Sequence, residues 1–329
     1  MKLIIKGGKI LNRGYIGIVM ELYNNNNNNN NKDDNKTLYN ELLLSNPENI
    51  TLISINEEIE IKDNKEILKL IKKNSKNTLT KKFSTNNTIF FGSNKKNFFK
   101  ELSGYKNLID IFKKDISKYT TIKKGFTFKN KPIYGIIFNN NYYIFLEKCF
   151  KTLENIQFTP KLLNKCIKDI FKVLQILNKK EYIHNDIKPD NIILCKNRFK
   201  LIDWENSNYI KDQSYNIIKN GNLVFNHPIK YYRINIPYLG YKFIYDHEIL
   251  TYNYLFNKKM PIIIAEQVEK SFNKVVEVYN KNKDYYLKLI DLYSFAITVI
   301  YIAEINKIIN YDKSFINKIL EFYFFDKLI

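Results

Sequence analysis

Between His184 and Glu205 the chain sets two short apolar runs around a polar turn and loads their open ends with charge. The first run, Ile192-Ile193-Leu194, follows directly on His184-Asn185-Asp186-Ile187-Lys188-Pro189-Asp190-Asn191; the second, Leu201-Ile202, delivers Asp203-Trp204-Glu205. Residues 191–194 and 199–202 are expected to pair as a hairpin, with Cys195-Lys196-Asn197-Arg198 as its turn and Asn197 tolerant of unusual backbone angles. The pairing would gather Asp186, Lys188, Asn191 and Asp203. An acid able to take a hydroxyl proton, a cation and two oxygen ligands suit phosphoryl transfer from a metal-bound nucleotide. That reaction asks for positioning and charge neutralisation more than covalent chemistry, and Mg²⁺ keeps most of its waters, so one carboxylate and one amide carbonyl suffice. The plainer alternative makes Asp186 and Asp203 ordinary turn and cap residues. Motif and spacing together weigh against it.

Upstream, Leu163, Ile167, Ile170, Leu174 and Leu177 recur at helical spacing from Thr159-Pro160 to Asn178, with a proline at the start. That helix would pack on a core and lead through Tyr182-Ile183 into the charged loop, with Cys166 a buried small hydrophobe. The loop resembles the catalytic loop of the eukaryotic-type protein kinases, and Asp203-Trp204-Glu205 resembles their metal-binding Asp-Phe-Gly. The resemblance implies an α+β, two-lobed fold, with a small β-rich N-lobe over 1–147 and a mainly helical C-lobe over 148–329. It implies ATP and Mg²⁺ as cofactors, Asp186 as base, Lys188 on the migrating phosphoryl group, and Asn191 and Asp203 as metal ligands. Lysine at 188 is similar to the serine/threonine branch, so the implied substrate is a protein hydroxyl. Two departures stand out. Asn185 replaces the arginine that in many members clamps a phosphorylated activation loop, and Glu205 replaces the glycine. Together they imply a metal site assembled without a phosphate switch.

The same resemblance extends upstream. Gly14 and Gly17, between apolar runs, are similar to the glycine-rich loop that lets backbone approach phosphates, with Val19 over the adenine; read alone, they fit any glycine hairpin. With the opening Gly7-Gly8-Lys9-Ile10 they are similar to kinase-like proteins of large DNA viruses, which implies host cytoplasm or virion as the compartment. Residues 24–31 are all Asn, and the chain stays polar and lysine-rich to about 77, so about 24–77 reads as an insertion unable to bury enough apolar surface to order itself easily. Ile61–Ile71 has modest helical periodicity. Thr78–Phe83 reads as a strand carrying Lys81, the choice for the phosphate lysine, with Lys82 its rival; Glu101, on a helix through Phe98–Tyr105, is its expected partner. Ile133–Phe138 and Tyr142–Leu146 alternate as strands about Asn139-Asn140-Asn141. The second resembles the inter-lobe hinge, with Leu146 at the back of the pocket and backbone groups of Glu147 and Cys149 meeting adenine, while Ile193 lines the nucleotide site.

Downstream, Gly221–Pro228 resembles the end of an activation segment, although Ile229 stands where the family has glutamate. His227 reads as a loop residue, 229–285 as a second insertion, and Asp291 as the helix acid that secures the catalytic-loop backbone. The 329 residues accommodate one catalytic domain with insertions. A formal charge of +20 suggests acidic partners, though Lys, Asn, Ile and Tyr are also what an AT-rich genome encodes. No nucleic-acid-binding motif, signal sequence or membrane span is legible, and Cys149, Cys166 and Cys195 are too far apart to form a CxxC, as in a cytoplasmic protein. Two further readings stay open. A small-molecule kinase of the choline or aminoglycoside type fits Glu205, and a pseudokinase scaffold fits the lost family residues.

Overall fold

The structure is a computed structural model that describes residues 12–13, 17–21, 37–45, 47–55, 57–74, 78–83, 94–122, 127–149, 151–212, 283–312 and 314. It is a mixed α+β chain with antiparallel sheets, dividing into two compact units, Met1–Cys149 and Phe150–Ile329. The predicted end of an activation segment lies outside the described residues, as do 229–282 of the second insertion, the Asn run and Gly14; residues 283–285 of that insertion belong to a helix.

Unit 1 is organised by a seven-stranded sheet in the order β1-β2-β5-β9-β8-β3-β4. Its strands are β1 (Asn12–Arg13), β2 (Gly17–Glu21), β3 (Ile50–Ile53), β4 (Glu58–Ile61), β5 (Thr78–Phe83), β8 (Gly135–Phe138) and β9 (Asn141–Glu147). A separate small hairpin joins β6 (Thr127–Phe128) to β7 (Lys131–Pro132). The β8–β9 turn is Asn139-Asn140, both at positive φ (46° and 56°), a conformation asparagine tolerates and a tight hairpin requires; Asn141 already belongs to β9. Gly135 in β8 has a steric cause: a Cβ there would stand 2.6 Å from the Tyr143 carbonyl oxygen and 3.2 Å from the Phe98 ring.

Residues 37–74 are more ordered than the polar, lysine-rich composition of about 24–77 suggests, and the helical periodicity at Ile61–Ile71 falls largely within a helix. They supply β3 and β4 together with helices α1 (Leu38–Ser45) and α2 (Asn64–Asn74). Leu38, Leu42, Ile67 and Ile71, each fully buried, join Ile50, Leu52, Ile136, Phe138 and Tyr143 in one cluster. The physical reason is spacing. Leu38/Leu42 and Ile67/Ile71 sit at i,i+4, so few aliphatics among many lysines still make an apolar stripe. Edge strand β4 exposes Glu58 and leaves Glu60 at its outer face, charges that discourage pairing with another chain.

Helix α3 (Asn94–Phe112) runs well beyond the span read from the sequence and continues through a 3-10 turn into the short α4 (Ile116–Tyr119). Its Phe98 meets Phe83 of β5 edge-on at 5.6 Å and Tyr142 of β9 at 5.5 Å.

In unit 2 helix α5 (Pro160–Lys179) begins as its sequence dictates. The Thr159 hydroxyl accepts the Leu162 N–H at 3.3 Å and Pro160 takes the first turn; Leu163, Ile167, Ile170, Leu174 and Leu177 are buried. A three-stranded sheet in the order β10-β12-β13 comprises β10 (Lys151–Thr152), β12 (Ile192–Cys195) and β13 (Arg198–Leu201). β12 and β13 form the anticipated hairpin, Ile192 opposite Leu201 and Cys195 opposite Arg198, but Lys196 rather than Asn197 carries the positive φ, 57°. The outer edge of β13 is closed by α5, where the Asp169 carboxylate accepts the Phe199 N–H at 3.1 Å. Strands β11 (Tyr182–Ile183) and β14 (Asn208–Tyr209) pair in a second sheet. Helix α6 (Lys283–Ile305) is buried on every side from Leu289 to Ile300, and its Ser294 and Thr298 hydroxyls donate back to the carbonyls of Ile290 and Ser294. Among the described residues no helix is long and apolar enough to cross a membrane.

Candidate functional site

The charged loop of unit 2 is anchored from α6. The two oxygens of Asp291 accept the backbone N–H groups of His184 (2.6 Å) and Asn185 (2.8 Å), and Asn185 takes a left-handed φ of 66° between them and Asp186. The His184 ring then joins both halves of the site. Its Nδ1 accepts the Asp186 N–H at 3.3 Å, so Nε2 is the protonated nitrogen and donates to the Ile202 carbonyl at 2.9 Å. Burial holds the His184 pKa below its usual value against the raising effect of Asp291, Asp186 and Asp203, in keeping with a neutral ring against Trp204 at 4.4 Å. This linking role was not read from the sequence. The signal available was position, one apolar strand on each side of the ring.

Around Asp186, 6 % exposed, the loop closes on itself. Its Oδ2 accepts Lys188 Nζ at 2.8 Å and Asn191 Nδ2 at 2.9 Å, and Asn191 Nδ2 also reaches the Asp186 carbonyl at 2.8 Å. With its amide nitrogen so occupied, Oδ1 is the Asn191 atom with the chemistry to meet a hard cation. Burial lowers the Lys188 pKa, but the charges of Asp186, Asp203 and Asp190 with the Asp186 hydrogen bond outweigh it, and the amine sits above its ordinary value as a firm cation. The hairpin register carries Asp203 back toward the loop: the Ile202 N–H donates to the Asn191 carbonyl at 3.0 Å, and Asp203 follows at φ 68°, ψ 65°. A carboxylate oxygen of Glu205 lies within 4.8 Å of one from Asp203. Ile193, the predicted nucleotide-lining residue, is half-buried on β12 between Thr152 and Lys200.

In unit 1 Lys81 Nζ on β5 donates to Glu101 Oε2 on α3 at 2.6 Å, and the Tyr105 hydroxyl donates to the other carboxylate oxygen at 3.2 Å. Glu101 is 1 % exposed and Lys81 13 % by side chain, so neither charge is left to water. Lys82, the next residue, turns to the opposite face. It reaches Glu41 of α1 at 2.9 Å, and the buried Tyr143 hydroxyl also donates to Glu41. Burial, then the Glu41 charge, pushes the Tyr143 hydroxyl far above its ordinary pKa. Glu41 was missed in the sequence because it lies in the stretch read as an insertion.

The structure thus brings Lys81 to Glu101 within unit 1, and Asp186 to Lys188 and Asn191 within unit 2. Gly17 opens β2 opposite Phe83, and Val19 stands opposite Lys81 across the β2–β5 pair. Glu147 ends β9 with its N–H donated to the Thr121 carbonyl at 2.6 Å, and Cys149 follows, buried. A cavity of about 400 Å³ in unit 1, between α3 and the β3–β4 turn, is lined by Phe99, Leu102, Ile109, Ile53, Tyr134 and the Glu101 partner Tyr105, but by neither Lys81 nor Glu101. No protein-family model matches the chain, and no curated protein matches it in sequence.

Proposed function

We propose that the chain is an ATP- and Mg²⁺-dependent serine/threonine protein kinase, with unit 1 as a β-rich nucleotide lobe and unit 2 as a mainly helical catalytic lobe of a kinase-like fold. The observation that carries this reading is the arrangement at Asp186, whose Oδ2 is held by both Lys188 and Asn191. With Oδ2 so occupied, Asp186 Oδ1 is the atom to accept the proton of a substrate hydroxyl. Lys188, already cationic, transfers its contact from Asp186 to the phosphoryl oxygens as they gain charge. Asn191 Oδ1 and the Asp203 carboxylate are the hard oxygen pair that would hold Mg²⁺, which when bound neutralises phosphate charge. Lys81, fixed by Glu101, would hold the non-transferred phosphates. The substrate is a protein hydroxyl, and the chain's +20 charge favours acidic partners.

Glu205, with its carboxylate so near that of Asp203, favours one second reading, a small-molecule kinase of the choline or aminoglycoside type. A panel assay separates the two. Purified chain, Mg²⁺ and radiolabelled ATP are offered to acidic and basic proteins, choline and aminoglycosides. Label on protein serine or threonine supports the first reading, label on a small alcohol alone replaces it with the second, and no label on any acceptor defeats both.

A further inference from the structure

Strand β5 presents two lysines in succession, and in a strand successive side chains point to opposite faces of the sheet. Lys81 meets α3 on one face and Lys82 meets α1 on the other. The Lys82 partner is shared: Glu41 accepts Lys82 at 2.9 and 3.1 Å and also accepts the hydroxyl of Tyr143. Tyr143 is the residue directly opposite Lys82 in the β5–β9 register, and the Lys82 amine lies 5.5 Å over its ring. Three elements, β5, β9 and α1, therefore meet at one carboxylate. Around it Leu38 and Leu42 of α1 are fully buried, and Tyr143 stacks on Phe138 at 5.1 Å.

From this geometry we infer that Glu41 is a positioning residue for Lys81: by gripping Lys82 and Tyr143 from the far face of the sheet, it sets the pitch of β5 and so the reach of Lys81 toward Glu101. The inference rests on the proposed role of Lys81 for its functional meaning but not for its geometry. Without the Glu41 carboxylate, the Lys82 amine loses its counter-charge and the Tyr143 hydroxyl its charged acceptor on that face. The grip of α1 on β5 and β9 is then loosened there, and a shift of β5 carries the adjacent Lys81 away from Glu101. A chain segment that composition marks as an insertion thus supplies a control point for Lys81.

The test reads Lys81 itself. The full chain is treated with a lysine-acylating reagent, and the labelling rate of each amine is followed by peptide mass spectrometry, with and without Mg²⁺–ATP. In the absence of nucleotide, Glu41→Gln is expected to raise Lys81 labelling by at least about threefold, within the range of coupling between side chains that share a network. Lys106, exposed on α3, serves as internal control and should not change. Tyr143→Phe, which keeps the Lys82–Glu41 pair, should move Lys81 in the same direction by less. Unchanged Lys81 labelling in Glu41→Gln overturns the inference. So does a parallel rise at Lys106, which would mark general loosening. Protection of wild-type Lys81 by Mg²⁺–ATP tests the kinase reading separately. Its absence, with the Glu41→Gln effect present, would defeat that reading and leave the clamp standing.

Discussion

Lys188 meets its carboxylate two residues away, whereas Lys81 meets its own across twenty and Lys82 across forty-one. In the unit 2 loop, proline, a 3-10 turn and a hairpin bring Asp186, Lys188 and Asn191 together within one short window, while the Asp291 anchor comes from far along the chain. The pairs in unit 1 exist only once a sheet and two helices have formed, because each joins a different helix to the same strand. Local devices are specified by motif; long-range ones are specified by packing. The first kind should fail through chemistry when altered and the second through stability.

The sharpest way to break that contrast is Asp186→Asn. Asparagine keeps the shape and a carbonyl oxygen but cannot take the proton, so turnover should fall by about 10²–10⁴-fold while the melting temperature barely moves. Phosphate-transfer assays beside thermal melts decide it, and turnover within tenfold of wild type would deny Asp186 its role. Lys81→Met comes next and should show the other behaviour. It strips the ammonium from a buried carboxylate, which costs about 3–5 kcal/mol when a buried pair is broken from one side. Lys82→Met, whose partner Glu41 is 24 % exposed, should cost about 1–3 kcal/mol. Urea unfolding of the two variants gives the order directly, and a reversed order would mean the α1 face holds the sheet more firmly than α3.

Gly135→Ala sharpens the packing side further. Its methyl group would be driven into the Tyr143 carbonyl, at a cost of about 1–3 kcal/mol readable in the same urea titration, and a neutral result would show that β8 can shift. The smallest effect belongs to His184. Buried and neutral in the fold, it resists protonation, whereas the unfolded chain takes up that proton below about pH 6.5. Its contribution is therefore intact above that pH and declines as pH falls through the window beneath it. Unfolding free energies measured from pH 7.5 to 5 should slope downward, and His184→Gln should flatten part of the slope.

This contrast also explains what could be read from the chain before its structure. Residues 184–203 announced their hairpin because two apolar runs, a turn and charged ends lie in one continuous window, and α5 announced itself through five aliphatics in phase. The 37–74 region did not. Its apolar residues are sparse, and their i,i+4 pairs gain meaning only when the sheet offers a face to cover, a fact of tertiary structure. Glu41 was lost with it. Lys196, not Asn197, took the left-handed angle because the four-residue register of the strands, rather than residue preference, fixes which loop position must reverse the chain. The linking role of His184 stayed hidden for another reason: a ring nitrogen finds its partner only when Ile202 has been folded back beside it.

The grip of Asp291 on the His184 and Asn185 amides has a meaning for how the molecule is made. The acceptor for the His184 N–H is encoded 107 residues after it. At translation speeds of about 5–20 residues per second, the loop spends about 5–20 s outside the ribosome's peptidyl-transferase centre before its acceptor has even been synthesised. During that interval the Asp186 loop lacks its floor, however complete its own motif. A nascent chain halted before Asp291 would carry every residue of the motif and none of its long-range anchorage. Assembly of the loop is thereby timed to the arrival of α6, a built-in delay between writing the chemistry and arming it.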